Sequence, residues 1–390
     1  MMLKMRNAYT SEIDDADAAV ADILGQIDLK EGVLKNSVGI LACNGEYVEV
    51  GAVEEICKRL PFEVIGCTTL GSAACGAYGP ELLCLTILTS DDVTFSTVCT
   101  APLVSGDAAE VRNSLKEAYD EARAKLSGDP SLIFAILPIL TEVGGSTVLK
   151  ELDGVSGGIP IFGTLSSDQS VSYQESRTIY NGASHQYSAA MILARGDVNP
   201  KFHITALPEK NIQKQKAIIT ESEGCLLKRI NDMPLLDYLA TLGLTKESGL
   251  EATNTVPFLV DYGLGTSPVA LGMYKITDEG YAVCGGEMPV GATLSIGMID
   301  YEGIMETAAL TVENALNRDE INGLLMFPCL TRNHMLSPNS MDEMKKVNAL
   351  ISQKVPYMLC YSGGEICPVY GEDGKLYNRF HNYTFTACVF

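Results

Sequence analysis

Apolar and polar positions along this chain fall into blocks that recur in the same order. Residues 37–43 are a short apolar run of strand length, and residues 50–60 place Val53, Ile56, Cys57 and Leu60 on one helical face before Pro61 stops the pattern. Residues 64–69 predict a second strand that runs out into small polar residues. Residues 81–88 and 93–98 predict two more strands, paired around the turn 89–92. The order then repeats. Val111, Leu115, Ala118, Ala122 and Leu126 form the stripe of an amphipathic helix, which Gly128-Asp129-Pro130 ends. Residues 132–137 read as a buried strand, 146–152 as a short helix and 159–168 as a strand ending in small polar residues. Residues 187–194 and 202–206 supply the paired strands. Ile87-Leu88 and Asp92-Val93 in the first copy match Ile192-Leu193 and Asp197-Val198 in the second at identical spacing.

A third copy fits more loosely, with strands at 323–330 and 355–361, a helix at 341–351, and residues 379–390 as one closing strand. Residues 217–320 carry a helix at 235–242 and several strands punctuated by glycine. The fold class expected is α/β (mixed α+β), with internally repeated β-α-β-β-β units forming mixed sheets flanked by helices. The polar stretch around residues 207–216 divides the chain into two expected domains, 30–210 and 217–390.

Composition narrows the function. The chain has 390 residues and a formal net charge of −21, with 28 basic residues and no run of them beyond Lys345-Lys346. Nucleic acid and anionic membrane surfaces select for clustered Lys and Arg, so both are excluded as partners. The longest apolar stretch, residues 132–139, is far short of the roughly 20 residues that cross a bilayer, and acidic residues follow Arg6 where a signal peptide needs an apolar run. A cytoplasmic protein without membrane insertion is expected. The 12 cysteines include no CxxC pair, so they read as reduced structural thiols, and neither a metal nor a cofactor is expected. No strand–turn–helix GxSxG elbow, GxxxxGK[ST] loop or HExxH helix is present (Gly154-Val-Ser-Gly-Gly158 has the first spacing but follows the helix expected at 146–152), so the chain is not expected to be an enzyme. The enzyme alternative is a hydrolase or transferase with Cys67 or Cys329 as nucleophile and His381 as base.

Several segments together resemble one family. They are Val64-Ile-Gly-Cys-Thr-Thr-Leu-Gly71, Ile161-Phe-Gly-Thr164 and Thr178-Ile-Tyr-Asn-Gly182, followed by Ile230-Asn-Asp-Met-Pro-Leu-Leu-Asp-Tyr238, Met326-Phe-Pro-Cys-Leu-Thr-Arg332, Gly363-Gly-Glu-Ile-Cys-Pro368 and Phe380-His-Asn-Tyr-Thr384. Their order and extent are similar to the FIST domains, N-terminal and C-terminal halves both. The resemblance implies a sensory input module, in which a small ligand such as an amino acid signals to a kinase, cyclase or chemotaxis-type partner. A ligand-free scaffold for another protein is a further alternative.

A pocket for an amino acid needs a carboxylate partner and an ammonium partner. Arg332 suits the first through its planar fork, and Glu365 the second; both follow apolar strands, and ligands favour the carboxyl ends of parallel strands. The plainer alternative is that the two pair with each other or face water. His381 and Asn382 stand at the start of the last strand, where His381 is either a donor to the ligand or a structural histidine. Cys329 precedes Arg332 by three residues and joins the candidates. Thr68, Thr69, Ser166, Ser167 and Asp168 end matching strands and mark equivalent clefts, or else close turns.

Overall fold

The computed structural model describes residues 3–29, 32–104, 106–140, 143–170, 174–245, 248, 255–351 and 355–390. Three copies of one unit follow each other along the chain. The first runs β1 (Lys4–Thr10), α1 (Ala16–Gln26), β2 (Asn36–Cys43), α2 (Glu46–Glu49), α3 (Ala52–Lys58), β3 (Val64–Thr68), the hairpin β4 (Ser72–Ala74) and β5 (Ala77–Gly79), and β6 (Leu83–Ser90). The second runs β7 (Thr94–Cys99), α4 (Ala108–Ala124), β8 (Leu132–Leu137), α5 (Gly145–Ser156), β9 (Ile161–Leu165), β10 (Thr178–Tyr180), β11 (Ala183–His185) and β12 (Ala190–Arg195).

The third unit opens on β13 (Lys201–Thr205) and is interrupted by an inserted domain. That domain holds β14 (Ile212–Glu223), β15 (Leu226–Ile230), β16 (Met233–Pro234), α6 (Leu235–Thr241), β17 (Phe258–Asp261), β18 (Val269–Leu271), β19 (Met273–Ile276), β20 (Ala282–Cys284) and β21 (Thr293–Gly297). The unit then resumes with α7 (Tyr301–Leu316), β22 (Leu324–Pro328), α8 (Leu330–Met335), α9 (Asp342–Ile351) and β23 (Tyr357–Cys360). The hairpin β24 (Glu365–Tyr370) and β25 (Leu376–His381) follows, and β26 (Phe385–Val389) ends the unit.

Each unit builds a six-stranded sheet of the same order, and each lends its hairpin to a neighbour. The sheets run β1-β6-β2-β3-β10-β11, β7-β12-β8-β9-β24-β25 and β13-β26-β22-β23-β4-β5. The second unit's hairpin thus completes the first sheet, the third unit's the second, and the first unit's the third. The two central strands of each sheet are parallel, joined by a helical crossover, and the rest are antiparallel. Alternate residues of all three sheets meet in one core, among them Ile40, Ile65, Phe134, Phe162, Phe327 and Met358. The opposite faces are covered by helices: Val20 and Ile56 on the first sheet, Leu115 and Leu149 on the second, Val312 and Val347 on the third. The inserted domain has its own core, around Ile219, Phe258, Val260 and Leu294.

Four expectations change. Residues 83–90 and 94–99 are not a hairpin. β6 lies in the first sheet and β7 pairs with β12 in the second, so the turn between them carries the chain from sheet to sheet. Ser90 Oγ caps this turn by accepting from the N–H groups of Asp92 and Val93. The strands expected to pair at 187–206 likewise part between the second and third sheets. The closing strand is two strands, broken at Tyr383, whose φ of 62° is a left-handed conformation that bulky residues rarely adopt. α7 lies inside residues 217–320, where only the helix at 235–242 is expected; Thr307 and Thr311 are buried on it, and their hydroxyls donate back to main-chain carbonyls one turn earlier. Among the described residues no helix is long and apolar enough to cross a membrane.

Candidate functional site

The three units end their second parallel strands in the same way. The N–H groups of Thr69, Ser166 and Ser362 donate to the carbonyls of Cys43, Leu137 and Pro328 at 2.9, 2.9 and 2.8 Å. One residue earlier, the N–H groups of Thr68, Leu165 and Tyr361 reach across to the incoming hairpins, donating to Arg177, Gly364 and Gly71. These equivalences make Ser72, Thr178 and Glu365 the same position in three copies, the first residue of each exchanged hairpin. Two copies carry a hydroxyl there and the third carries a carboxyl.

Glu365 is fully buried. Its Oε2 accepts from the N–H of Thr384 at 3.2 Å and from the hydroxyl of Thr384 at 2.8 Å. Its Oε1 meets no donor of hydrogen-bonding geometry, although the Cys329 thiol stands beside it. Burial pushes the carboxyl up from 4.5 to about 8, against the opposing pull of the Thr384 hydrogen bonds, the neighbouring Cys329 thiol and the Arg332 charge. Burial, together with the nearby carboxyl, pushes the Cys329 thiol well up, so it is no ready nucleophile.

Arg332 lies on the far side of the same turn, as a closed clamp. It donates through Nε to Glu343 at 2.9 Å, through Nη1 to the Tyr383 carbonyl at 3.2 Å, and through Nη2 to Glu343, the Ile304 carbonyl and Thr307. Glu343 is fully buried and also accepts from the Tyr361 hydroxyl at 3.0 Å. The partner of Arg332 is therefore Glu343, not Glu365, and the guanidinium fork faces the protein's own acid.

Asn382 carries the turn towards the inserted domain. Its N–H donates to Ala270, its Oδ1 accepts from Gly272 at 3.1 Å, and its Nδ2 donates to the Tyr274 hydroxyl at 2.8 Å. His381 stands opposite Glu365 in the β24–β25 register, but its Nε2 is 3.2 Å from the Cys367 carbonyl. Burial takes its pKa down to about 4, so the ring is neutral and donates through that nitrogen. Of the C-terminal candidates, Glu365, Cys329, Arg332 and Asn382 converge on the strained turn 382–384, while His381 bonds away from it. Tyr274 and Glu343 complete the cluster. Sequence reasoning passed over both, since Glu343 reads as an exposed first-turn acid and Tyr274 sits in an aperiodic tract.

The N-terminal candidates form a separate group where the three units interlock. The Thr69 hydroxyl donates to the Tyr361 carbonyl at 2.7 Å, and Ser167 does so at 3.4 Å. The N–H of Ser167 donates to Thr68 at 3.0 Å, and Gly363 donates to Leu165 at 3.0 Å. Thr68 Oγ1 accepts from the N–H of Arg177 at 2.8 Å. Asp168 closes a turn through Oδ1 to the N–H of Ser170 and keeps Oδ2 buried without a partner, as is Ser166 Oγ. Most of these hydroxyls fasten one unit to the next. No group of three or more potential metal ligands occurs among the described residues.

Comparison with known proteins places both halves. The FIST N domain model matches residues 37–233 and the FIST C domain model residues 235–368. No curated protein matches. A solved cyanuric acid hydrolase from A. caulinodans aligns at 9% identity and a TM-score of 0.38, covering 99% of this chain and 98% of its own. Another solved cyanuric acid hydrolase aligns at 9% identity and a TM-score of 0.29, covering 77% of this chain and 100% of its own. Likeness at that level bears on neither site nor chemistry.

Proposed function

The chain belongs to the FIST family of sensory and signal-transduction domains, and from that premise we propose that it is a sensor that binds a small polar ligand at Glu365. The observation that carries this is the lone buried carboxyl in a position the other two units fill with Ser72 and Thr178. An acid kept there costs desolvation that a hydroxyl does not, and Oε1 lacks a hydrogen-bond donor. A cationic ligand ammonium lets the carboxyl release its proton and then donates to Oε1, and an acceptor group on the ligand takes the Nδ2 of Asn382 in place of Tyr274. An amino acid or a related metabolite carries both. The ligand's carboxylate is then met by Asn382, since Arg332 is engaged by Glu343.

Occupancy would reach a separate kinase, cyclase or chemotaxis-type protein through the inserted domain, which touches the site at Tyr274, Gly272 and Ala270. The reading is non-enzymatic, because the thiol beside Glu365 is held protonated. A thermal-shift screen over amino acids and small amines is the test, since ligands that bind only the folded state raise Tm. A compound that stabilises the wild type should lose its effect on Glu365→Gln. If hits stabilise both proteins equally, Glu365 is not the binding group.

A further inference from the structure

Tyr274 is 44% exposed, yet its hydroxyl is held inside by the buried Asn382. That combination has a local cause. In the β19–β20 pairing, Met273 opposes Cys284 and Lys275 opposes Val283, with the register slipping between them, so Tyr274 is the extra residue of a bulge. Bulges re-aim one side chain and are frequent at sheet edges beside functional sites. β19 is an edge strand of the inserted domain's sheet, so displacing it disturbs pairing with β20 alone.

The surroundings of the hydroxyl are shaped to receive it. A Cβ on Gly285 would collide with Asn382 Oδ1 and lie 2.8 Å from the Tyr274 hydroxyl. A Cβ on Gly272 would lie 3.1 Å from the Tyr383 hydroxyl. Behind Asn382 stands the turn that Thr384 fastens to Glu365, and the electrostatic influence of Cys329 and Glu365 reaches the Tyr274 phenol. The phenol thus runs from solvent to the edge of the Glu365–Cys329 cluster, with glycines clearing its path.

We infer that Tyr274 is a gate: its ring plugs the approach from solvent to Glu365 and Cys329, and outward movement of β19 opens that approach. The gate takes its purpose from the reading of Glu365 as the binding group, and it makes the inserted domain the part that moves when the site fills. A ligand acceptor that replaces the phenol oxygen on Asn382 competes with closure directly. Occupancy and the open position of β19 then favour each other.

Cys329 reports on access without any ligand. The intact protein is treated with iodoacetamide under native conditions, and alkylation at Cys329, Cys43 and Cys388, all buried, is followed by peptide mass spectrometry. In Tyr274→Ala, Cys329 labelling is expected to rise about tenfold or more over wild type while Cys43 and Cys388 stay slow, as for a local opening. Tyr274→Phe, which keeps the ring and gives up the hydrogen bond, should fall between the two. Equal rates at the three thiols in Tyr274→Ala, all slow or all fast, overturn the gate. Because no ligand enters this experiment, a ligand screen that finds nothing leaves the gate standing. A failed gate likewise leaves the comparison of wild type with Glu365→Gln intact.

Discussion

Two titratable residues that face each other across β24 and β25 are pushed in opposite directions by the same burial. The folded chain keeps Glu365 protonated up to about 8, whereas the unfolded chain releases that proton near 4.5. Its contribution to stability is therefore complete below 4.5 and lost as pH rises through 8. His381 has a folded value of about 4 against an ordinary 6.5, so its contribution is complete above 6.5 and lost as pH falls through 4. Between 4.5 and 6.5 the two slopes, each about 1.4 kcal/mol per pH unit, cancel. Denaturant unfolding of Glu365→Gln should uncover a loss of stability on acidification in that window, and His381→Asn a gain; profiles parallel to wild type would dismiss both assignments. Arg332→Met should cost about 3–5 kcal/mol, because it leaves the buried Glu343 carboxylate uncompensated. The double variant with Glu343→Leu should recover much of it, which denaturation midpoints of the three proteins will show. The sequence made Glu365, His381 and Arg332 visible as polar groups close to apolar runs. It could not supply their partners, because Arg332 and Glu343 meet only once α8 and α9 are packed.

At the scale of elements, the β-α-β halves of the units were legible because each parallel strand is a short apolar run followed by a one-sided helix. α3, α4, α5 and α9 fall where their stripes predict. The exchanged hairpins were not legible. β4, β5, β10 and β11 are three residues each, too short for a period to register, and alternation marks a buried face without saying which sheet buries it. Packing between the parallel strands also differs by unit. Gly66 and Gly163 occupy the position filled in the third unit by Leu359. A Cβ on Gly66 would lie 2.6 Å from the Leu41 carbonyl oxygen, and one on Gly163 would drive into that of Ala135. Gly163→Ala should therefore destabilise by more than about 2 kcal/mol, well beyond a propensity change. Leu359→Ala should show only the loss of a core side chain. Crystal structures of both variants check this, since the first must part β8 from β9 and the second leaves β22 and β23 in place.

Over the whole molecule, the exchange of hairpins ties the three units into one cooperative body. β9 needs β24, β3 needs β10, and β23 needs β4, so no sheet closes from its own unit. The core they surround is shared as well, with Phe162 stacked between Phe202 and Phe327 at centroid distances of 5.9 and 5.1 Å. The inserted domain is different, since its sheet is built from its own strands around its own core. Native-state hydrogen exchange at increasing denaturant should accordingly separate two groups of amides. Those of β3, β9 and β23 should merge into one opening at the global free energy, while those of β17 and β21 open earlier, with β19 among the first. If β3, β9 and β23 open at distinct free energies, the interlocking is topological without being energetic. In that case a signal at Glu365 would stay within the third unit. If they open as one, a change at the turn 382–384 bears on a rigid three-unit body, and the inserted domain is left as the part free to report it.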